Sequence, residues 1–180
     1  MTTNVNALED GDLYVILFLN AAVGDCHWGL YHHYKNEWVP STTPGSPKGR
    51  WVPKGHKYHV KNIGTSQNWM ADHATTSGVL SSMFLVGLLR IGNVPPTYQQ
   101  GLDTIMRSLD NSLSHHTGEM TYCRTWTMGI LSKLVAGGYV RTRYSGPQVF
   151  SHIEAFGQQQ WAGAANADQP RPIAASPLFE

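Results

Sequence analysis

Charged side chains are scarce in this chain of 180 residues: they make up 14 % of it, whereas a typical soluble domain has about 25 %. Lys and Arg number 13 and Asp and Glu 12, so the formal net charge is only +1. This near balance removes the electrostatic reason to expect nucleic acid or an anionic membrane as a partner. The apolar share of 41 %, with six tryptophans, indicates instead an uncharged, aromatic surface or cavity lining, and such a lining suits a small hydrophobic molecule.

Long apolar segments and cysteines are also few. The runs LYVILFLN and MFLVGLL are far shorter than the roughly 18–20 residues that a helix needs to cross a bilayer, so we expect no stable membrane span. The first residues carry no basic segment typical of a signal peptide. Two cysteines, Cys26 and Cys123, are too few for a secreted disulfide scaffold. A cytoplasmic location is therefore the default expectation, while pairing of the two thiols stays open.

Motifs for metals and nucleotides are missing as well. Nine histidines invite a zinc hypothesis, but neither His-Glu-x-x-His nor paired Cys-x-x-Cys spacing occurs. There is no Walker loop, and no Gly-x-Gly-x-x-Gly follows a predicted strand. We therefore expect neither a metal ion nor a cofactor. The basic residues Lys48, Arg50, Lys54 and Lys57 are interpreted as a solvated hairpin, with anion recognition as the alternative.

Hydrophobic periodicity predicts a single α+β domain over residues 1–161, in which an antiparallel sheet packs against helices. Strands are predicted at 13–20, 26–34, 55–62 and 81–92, and the first two form a hairpin across a Gly-Asp turn. Helices are predicted at 98–109, 121–136 and 147–161, the second of which ends at Gly137-Gly138. Residues 162–180 are rich in Ala, Pro and Gln and are interpreted as a low-complexity tail.

Period-two alternation divides the strand at 26–34 into two faces. His27, Gly29 and Tyr31 share one face, and Trp28 and Leu30 share the other. In the strand at 55–62, the same alternation sets Tyr58 and Val60 opposite His59.

Cys123 is the candidate nucleophile. Thr121 is a plausible N-cap, which places Cys123 in the first turn of a helix, where unpaired backbone N–H groups stabilise a thiolate and lower its pKa. His27 is the candidate base and His59 the residue that orients it. Each also has a structural interpretation, because a single cysteine is more often a small buried hydrophobe and a strand histidine is more often a hydrogen-bonded core residue.

The motifs HWGLY, KYHVKN and TYCRTW carry a resemblance to a known group. Their order, with His27 first, His59 one strand later and Cys123 opening a helix, resembles that of the permuted papain-like thiol enzymes of the NlpC-type superfamily, including the lecithin:retinol acyltransferases. Tyr122-Cys123-Arg124 differs from the group's usual Asn-Cys-acidic motif. The chain is also similar to small fungal proteins with the same His-to-Cys order, and some fungal proteins of this size act in secondary metabolism, including as cyclases.

The resemblance implies a permuted papain-like fold and a thiol hydrolase or acyltransferase that acts on a small lipophilic substrate. An alternative is a non-covalent cyclase of the pericyclase or Diels–Alderase type, since orientation alone lowers a barrier by several kcal/mol. A binding protein without turnover is a third hypothesis. Candidate substrate-binding residues are Trp28, Tyr31, Tyr58, Tyr122 and Trp126. The oligomeric state stays open.

Overall fold

A computed structural model describes residues 7–42, 49–62, 69–110 and 122–180. The strands are β1 Asp12–Leu19, β2 Cys26–Val39, β3 Arg50–Tyr58, β4 Val60–Asn62, β5 Trp69–Ala71, β6 Ala74–Thr76, β7 Leu85–Asn93 and β8 Ile173–Ala175. The helices are α1 Gln99–Met106, α2 Tyr122–Ala136 and α3 Gly146–Ala165. The α+β class expected from the sequence is therefore confirmed.

Six of the strands form one sheet in the order β6-β3-β2-β1-β7-β8, and β4 and β5 form a separate antiparallel pair. All pairings in the large sheet are antiparallel except that of β7 with β8. The predicted β1–β2 hairpin is confirmed, with Leu17 opposite Trp28 and Gly24 at φ +76° in the turn. β2 continues to Val39, beyond the predicted end at residue 34.

The two faces of the sheet support different cores. Leu13, Val15 and Leu17 of β1 pack in one buried cluster with Trp28 and with residues of all three helices. Tyr14, Ile16 and Tyr31 pack on the opposite face with the short 3₁₀ helix Val79–Ser81. The predicted alternation of faces in β2 is therefore confirmed, because Trp28 and Leu30 belong to one cluster and Tyr31 to the other. β1 is buried on both faces.

The strand predicted at 55–62 is interrupted in the structure. β3 ends at Tyr58 and β4 begins at Val60, so His59 lies between two strands that belong to different sheets. Tyr58 and Val60 are fully buried in the core that the helices cover. The chain therefore leaves the large sheet directly before His59, the candidate orienting residue.

The C-terminal residues differ from the expected low-complexity tail. Helix α3 continues to Ala165, and β8 adds to the sheet edge by pairing in parallel with β7, Leu88 opposite Ile173. The buried side chain of Arg171 donates to the carbonyl groups of Gly163, Ala164 and Met83. The folded unit therefore extends past residue 161.

Other predictions concern the ends of helices and the membrane. The predicted stop after α2 is confirmed, since Gly138 has φ +73°, a backbone conformation that glycine favours. Thr121, the predicted N-cap, lies outside the described residues. Across the described ranges, the structure contains no helix with both the length and the apolar character needed for a membrane span.

Candidate functional site

His27 and His59 are in direct contact. Nε2 of His27 lies 2.9 Å from Nδ1 of His59, and the rings meet nearly edge to face, with centroids 5.2 Å apart. Gly29 permits this approach because it shares a face with His27 and has no side chain. A Cβ added at Gly29 would lie 2.8 Å from both the Cβ of His59 and the carbonyl oxygen of Tyr58.

Asp72 extends the histidine pair at its far end. Its Oδ2 lies 3.0 Å from Nε2 of His59, a close electrostatic contact that is not directed as a hydrogen bond. Its Oδ1 accepts from Nζ of Lys61 at 3.2 Å. The β4–β5 pair brings these groups together, because Lys61 is in β4 and Asp72 directly follows β5, with its N–H donating to the carbonyl of His59.

The Asp72 carboxylate determines which ring nitrogens of His59 and His27 carry a proton. A negative charge beside Nε2 of His59 favours a proton on that nitrogen. Nδ1 of His59 is then the acceptor, so Nε2 of His27 donates to it. Nδ1 of His27 is left with a lone pair, the form that a general base requires.

Both imidazoles are neutral at pH 7. Burial, followed by the nearby Lys57 charge, lowers the pKa of His27 to about 4. Burial, then Lys57 and His27, lowers the pKa of His59 to about 3, against the opposing effect of Asp72. The pair therefore enters any reaction as a base rather than as a preformed imidazolium.

Cys123 is the second residue of α2 as the structure describes that helix. Its side chain is 5 % exposed, it forms no disulfide, and it belongs to the core on the helix-covered face. The backbone N–H groups of Trp28 and Arg124 face the sulfur. β3 pairs with β2 only from Leu30 onward, so this thiol lies beside the part of β2 that precedes the β2–β3 pairing.

The expected lowering of the Cys123 pKa is not found. Burial raises the pKa of this thiol, and the two facing N–H groups together with the Arg124 charge oppose the rise only in part. Among the described residues, no hydrogen bond joins the sulfur to His27 or His59. Desolvation outweighs the stabilisation that a helical first turn provides, because the thiolate would be buried within an apolar cluster.

Arg124 fixes the surroundings of the thiol. Its guanidinium pairs with Asp25 at the start of β2, and it donates to Glu154 of α3 at 2.7 Å. It also lies over the ring of Trp28, 5.3 Å from the centroid. One cation thus joins β2, α2 and α3 at the position next to Cys123.

The candidate nucleophile and both histidines line one cavity. It has a volume of about 480 Å³, and its wall includes Cys123, His27 and His59. Phe18 forms part of the same wall, with ring centroids 6.4 Å from His27 and 6.3 Å from His59. The remaining lining residues are Leu19, Asn20, Asp25, Cys26, Lys57, Lys61, Asn62, Trp69, Ser82, Phe84 and Arg124.

The predicted substrate-binding aromatics do not line this cavity. Trp28, Tyr31, Tyr58 and Trp126 are at most 1 % exposed and pack in the core, while the side chain of Tyr122 lies outside the described residues. The prediction was wrong for these four because they share strands or a helix with the site but point into the packed interior. Phe18, Trp69 and Phe84 supply the aromatic wall instead.

Asp72 is a site residue that the sequence analysis missed, and Lys57 was assigned to a basic hairpin rather than to the surroundings of the histidines. Asp72 belongs to a segment with no clear periodicity, so no pattern placed it near His59. In the strand predicted at 55–62, Lys57 and His59 are two residues apart, and this spacing could have placed Lys57 on the same face as His59. In the described ranges, no group of three or more His, Cys, Asp or Glu side chains is arranged to hold a metal ion.

Comparisons with family models, curated proteins and solved structures found no match to this chain.

Proposed function

We propose that the protein is a cysteine-nucleophile acyl hydrolase or acyltransferase that acts on a small lipophilic substrate. Cys123 is the nucleophile, His27 the general base and His59 the residue that orients it. The observation that carries the proposal is the pair His27 and His59 in the wall of the cavity that Cys123 also lines, with Asp72 beside His59 outside that wall. A permuted papain-like arrangement, with both histidines preceding the cysteine helix, is part of the same proposal.

The proposed reaction starts from a neutral thiol and a neutral imidazole. Nδ1 of His27 takes the proton of the Cys123 thiol as the sulfur bonds to the substrate carbonyl carbon. The imidazolium then returns the proton to the leaving group as its bond to carbon breaks, which leaves a thioester at Cys123. Water or an acceptor alcohol attacks this thioester, His27 again moves the proton, and the free thiol is restored.

Two features of the site favour this sequence of steps. The hydrogen bond from His27 to His59, with Asp72 behind it, stabilises the positive charge that His27 gains during the reaction. Backbone N–H groups near the sulfur, including that of Trp28, are donors of the kind that stabilise a developing oxyanion. Phe18 and Phe84 give the cavity an apolar wall, which suits a lipophilic acyl group.

The decisive experiment is to trap the acyl-enzyme. The protein is mixed with p-nitrophenyl esters of increasing acyl length, and the quenched products are examined by intact and peptide mass spectrometry. We expect acylation on Cys123, none in Cys123→Ala, and retained acylation in Cys26→Ala, the matched thiol control. Turnover that survives in Cys123→Ala would exclude the thiol mechanism.

A non-covalent cyclase is the second candidate. It is favoured by one observation: within the described part of the chain, the Cys123 sulfur has no hydrogen bond to an imidazole, and its pKa is raised. In that case the cavity holds a polyene or terpenoid in a reactive conformation, and His27 polarises a bound carbonyl from its other tautomer, with the proton on Nδ1. Activity retained in Cys123→Ala but lost in His27→Ala would support this function.

A further inference from the structure

The charged residues that line the cavity are unequal in sign. Lys57, Lys61 and Arg124 are cations, and Asp25 is the one carboxylate in the described lining. The imbalance is notable in a chain whose formal net charge is only +1. It concentrates positive potential in the one place where we propose that substrate binds.

Two of the three cations are already neutralised. Arg124 pairs with Asp25 and Glu154, and Lys61 pairs with Asp72. Lys57 forms no ion pair among the described residues, although the Asp72 carboxylate is near enough for the Lys57 charge to lower its pKa. Its Nζ lies 5.8 Å from the centroid of the Phe18 ring, the ring that also contacts both histidines.

Lys57 is positioned by β3. It is opposite Tyr31 in the β2–β3 register, on the face of the sheet that also carries His27, and it lines the cavity together with His59. The half-buried ammonium lies close enough to lower the pKa of both His27 and His59. An unpaired cation in a partly desolvated position is costly, and an anion placed beside it would offset that cost.

We propose that this cavity recognises an anionic group on its substrate, and that Lys57 is the specificity-determining residue that binds it. This inference rests on the proposed function and narrows its substrate to acyl compounds that carry a negative charge, a carboxylate or a phosphate ester, close to the reacting carbonyl. A lysine ammonium suits this role because it acts as a point charge and does not demand the planar geometry of a bidentate guanidinium contact.

The test measures binding without turnover. Hexanoate, hexanamide and hexyl phosphate are titrated separately into the wild-type protein at pH 7 and low salt, and the ring signals of His27 and His59 are followed by NMR. We expect at least one of the two anions to bind about tenfold more tightly than the neutral amide, as a charge-assisted contact allows. Comparison of hexanoate with hexyl phosphate separates the two sources of the charge.

Variants of the protein test whether Lys57 is responsible for the preference for anions over the amide. Lys57→Met removes the charge and keeps the chain length, so we expect it to abolish the preference for the anion. It should also raise the pKa of both imidazoles, which a merely structural role would not do. Lys54→Met is the matched control on the same strand, since Lys54 pairs with Glu37 at 3.4 Å and does not line the cavity.

Equal affinity for the anions and the amide in the wild type would overturn the proposal, and so would a preference that survives Lys57→Met. If Lys57→Met does not fold, Lys57→Arg and added KCl replace it: the arginine variant should keep the preference, and about 0.5 M salt should weaken it. A preference that salt leaves unchanged would also overturn the proposal. None of these measurements requires a thioester, so anion recognition and the Cys123 mechanism fail independently.

Discussion

Gly29 of β2 lies directly against His59: a Cβ at Gly29 would be 2.8 Å from the Cβ of His59, closer than two such carbons approach. The glycine in the motif HWG is therefore part of the site, because it opens the space that the second imidazole occupies. His27, two residues earlier on the same face, then meets His59 at hydrogen-bond distance.

Gly29→Ala should separate the two histidines. The added methyl group also meets the Tyr58 carbonyl at 2.8 Å, so we expect a loss of about 1–3 kcal/mol in the free energy of unfolding and a much larger relative loss of activity. Denaturant unfolding and the ring ¹⁵N signals of His27 and His59 measure the two effects. Gly146→Ala is the control, because nothing lies within 4 Å of its added Cβ. An unchanged His27–His59 hydrogen bond in Gly29→Ala would contradict this role of the glycine.

Asp72→Asn tests whether the carboxylate sets the tautomers. Without its charge, the proton on Nε2 of His59 loses its electrostatic support, so we expect kcat to fall by roughly 10²-fold, the lower end of the range for a positioned acid–base group. Asp110→Asn is a matched control, since Asp110 contacts Nε2 of His73 at 3.1 Å outside the cavity. A similar loss of kcat in both variants would show that the effect is structural.

The strands predicted from the sequence correspond to β1, β2, β7 and, with a break at His59, to β3 and β4. The sequence also singled out the two histidines, but not how the site is completed. The β1–β2 hairpin follows from a continuous apolar run, a Gly-Asp turn and an alternating segment, all of which are local signals. Asp72 reaches His59 only through the β4–β5 pair, a tertiary arrangement that no local pattern specifies. Likewise, alternation assigns Trp28 to a face, but only the packing of the helices shows that this face is sealed.

The same distinction explains the C-terminal strand. β8 has three residues and pairs in parallel with β7, which lies more than 80 residues earlier in the chain. A short strand at that separation is specified by packing and by the carbonyl contacts of Arg171, not by periodicity. The pKa of Cys123 is a further example: its helical position favours a thiolate, but the burial that decides the direction of the shift is a tertiary property.

Stability should decline as the pH falls from about 6.5 towards 4. In the unfolded chain a histidine has a pKa of about 6.5, whereas in the folded protein the pKa of His27 is about 4 and that of His59 is about 3. Within this window the unfolded chain binds more protons, so unfolding is favoured; above pH 6.5 both states are neutral and the full stability is present. At pH 4, the protonation of His27 alone lowers the free energy of unfolding by about 3 kcal/mol, because each unit of pKa shift corresponds to about 1.4 kcal/mol.

Urea unfolding of the wild type and of His27→Gln between pH 7.5 and 4 measures this dependence. The variant should lose less stability over the window, since it lacks one of the groups that the unfolded chain protonates first. NMR titration supplies a direct check, in which the rings of His27 and His59 should remain neutral at pH 5. A ring that titrates near pH 6.5 would contradict the assigned direction.

In the absence of substrate, we expect Cys123 to react slowly with alkylating reagents. The raised pKa leaves little thiolate at pH 7, so iodoacetamide should label this thiol slowly there and faster as the pH rises above 9. Cys26, whose pKa burial and Asp25 raise to about 11, should also be labelled slowly at pH 9. Peptide mass spectrometry over time resolves the two sites. Rapid labelling of Cys123 at pH 6–7 would instead indicate a thiolate already formed beside an imidazolium.

Arg171 is expected to hold the C-terminal segment to the rest of the fold. Its side chain is 3 % exposed and donates to three backbone carbonyl groups, two at the end of α3 and one at Met83, just before β7. Arg171→Met keeps much of the volume but leaves these buried acceptors without a donor, so we expect a loss of about 3 kcal/mol. Arg141→Met, at an exposed position, should change the stability by no more than about 0.5 kcal/mol. Because Met83 adjoins Phe84 in the cavity wall, Arg171→Met should also increase hydrogen exchange across 83–89, and unchanged protection there would show that the segment folds independently of this contact.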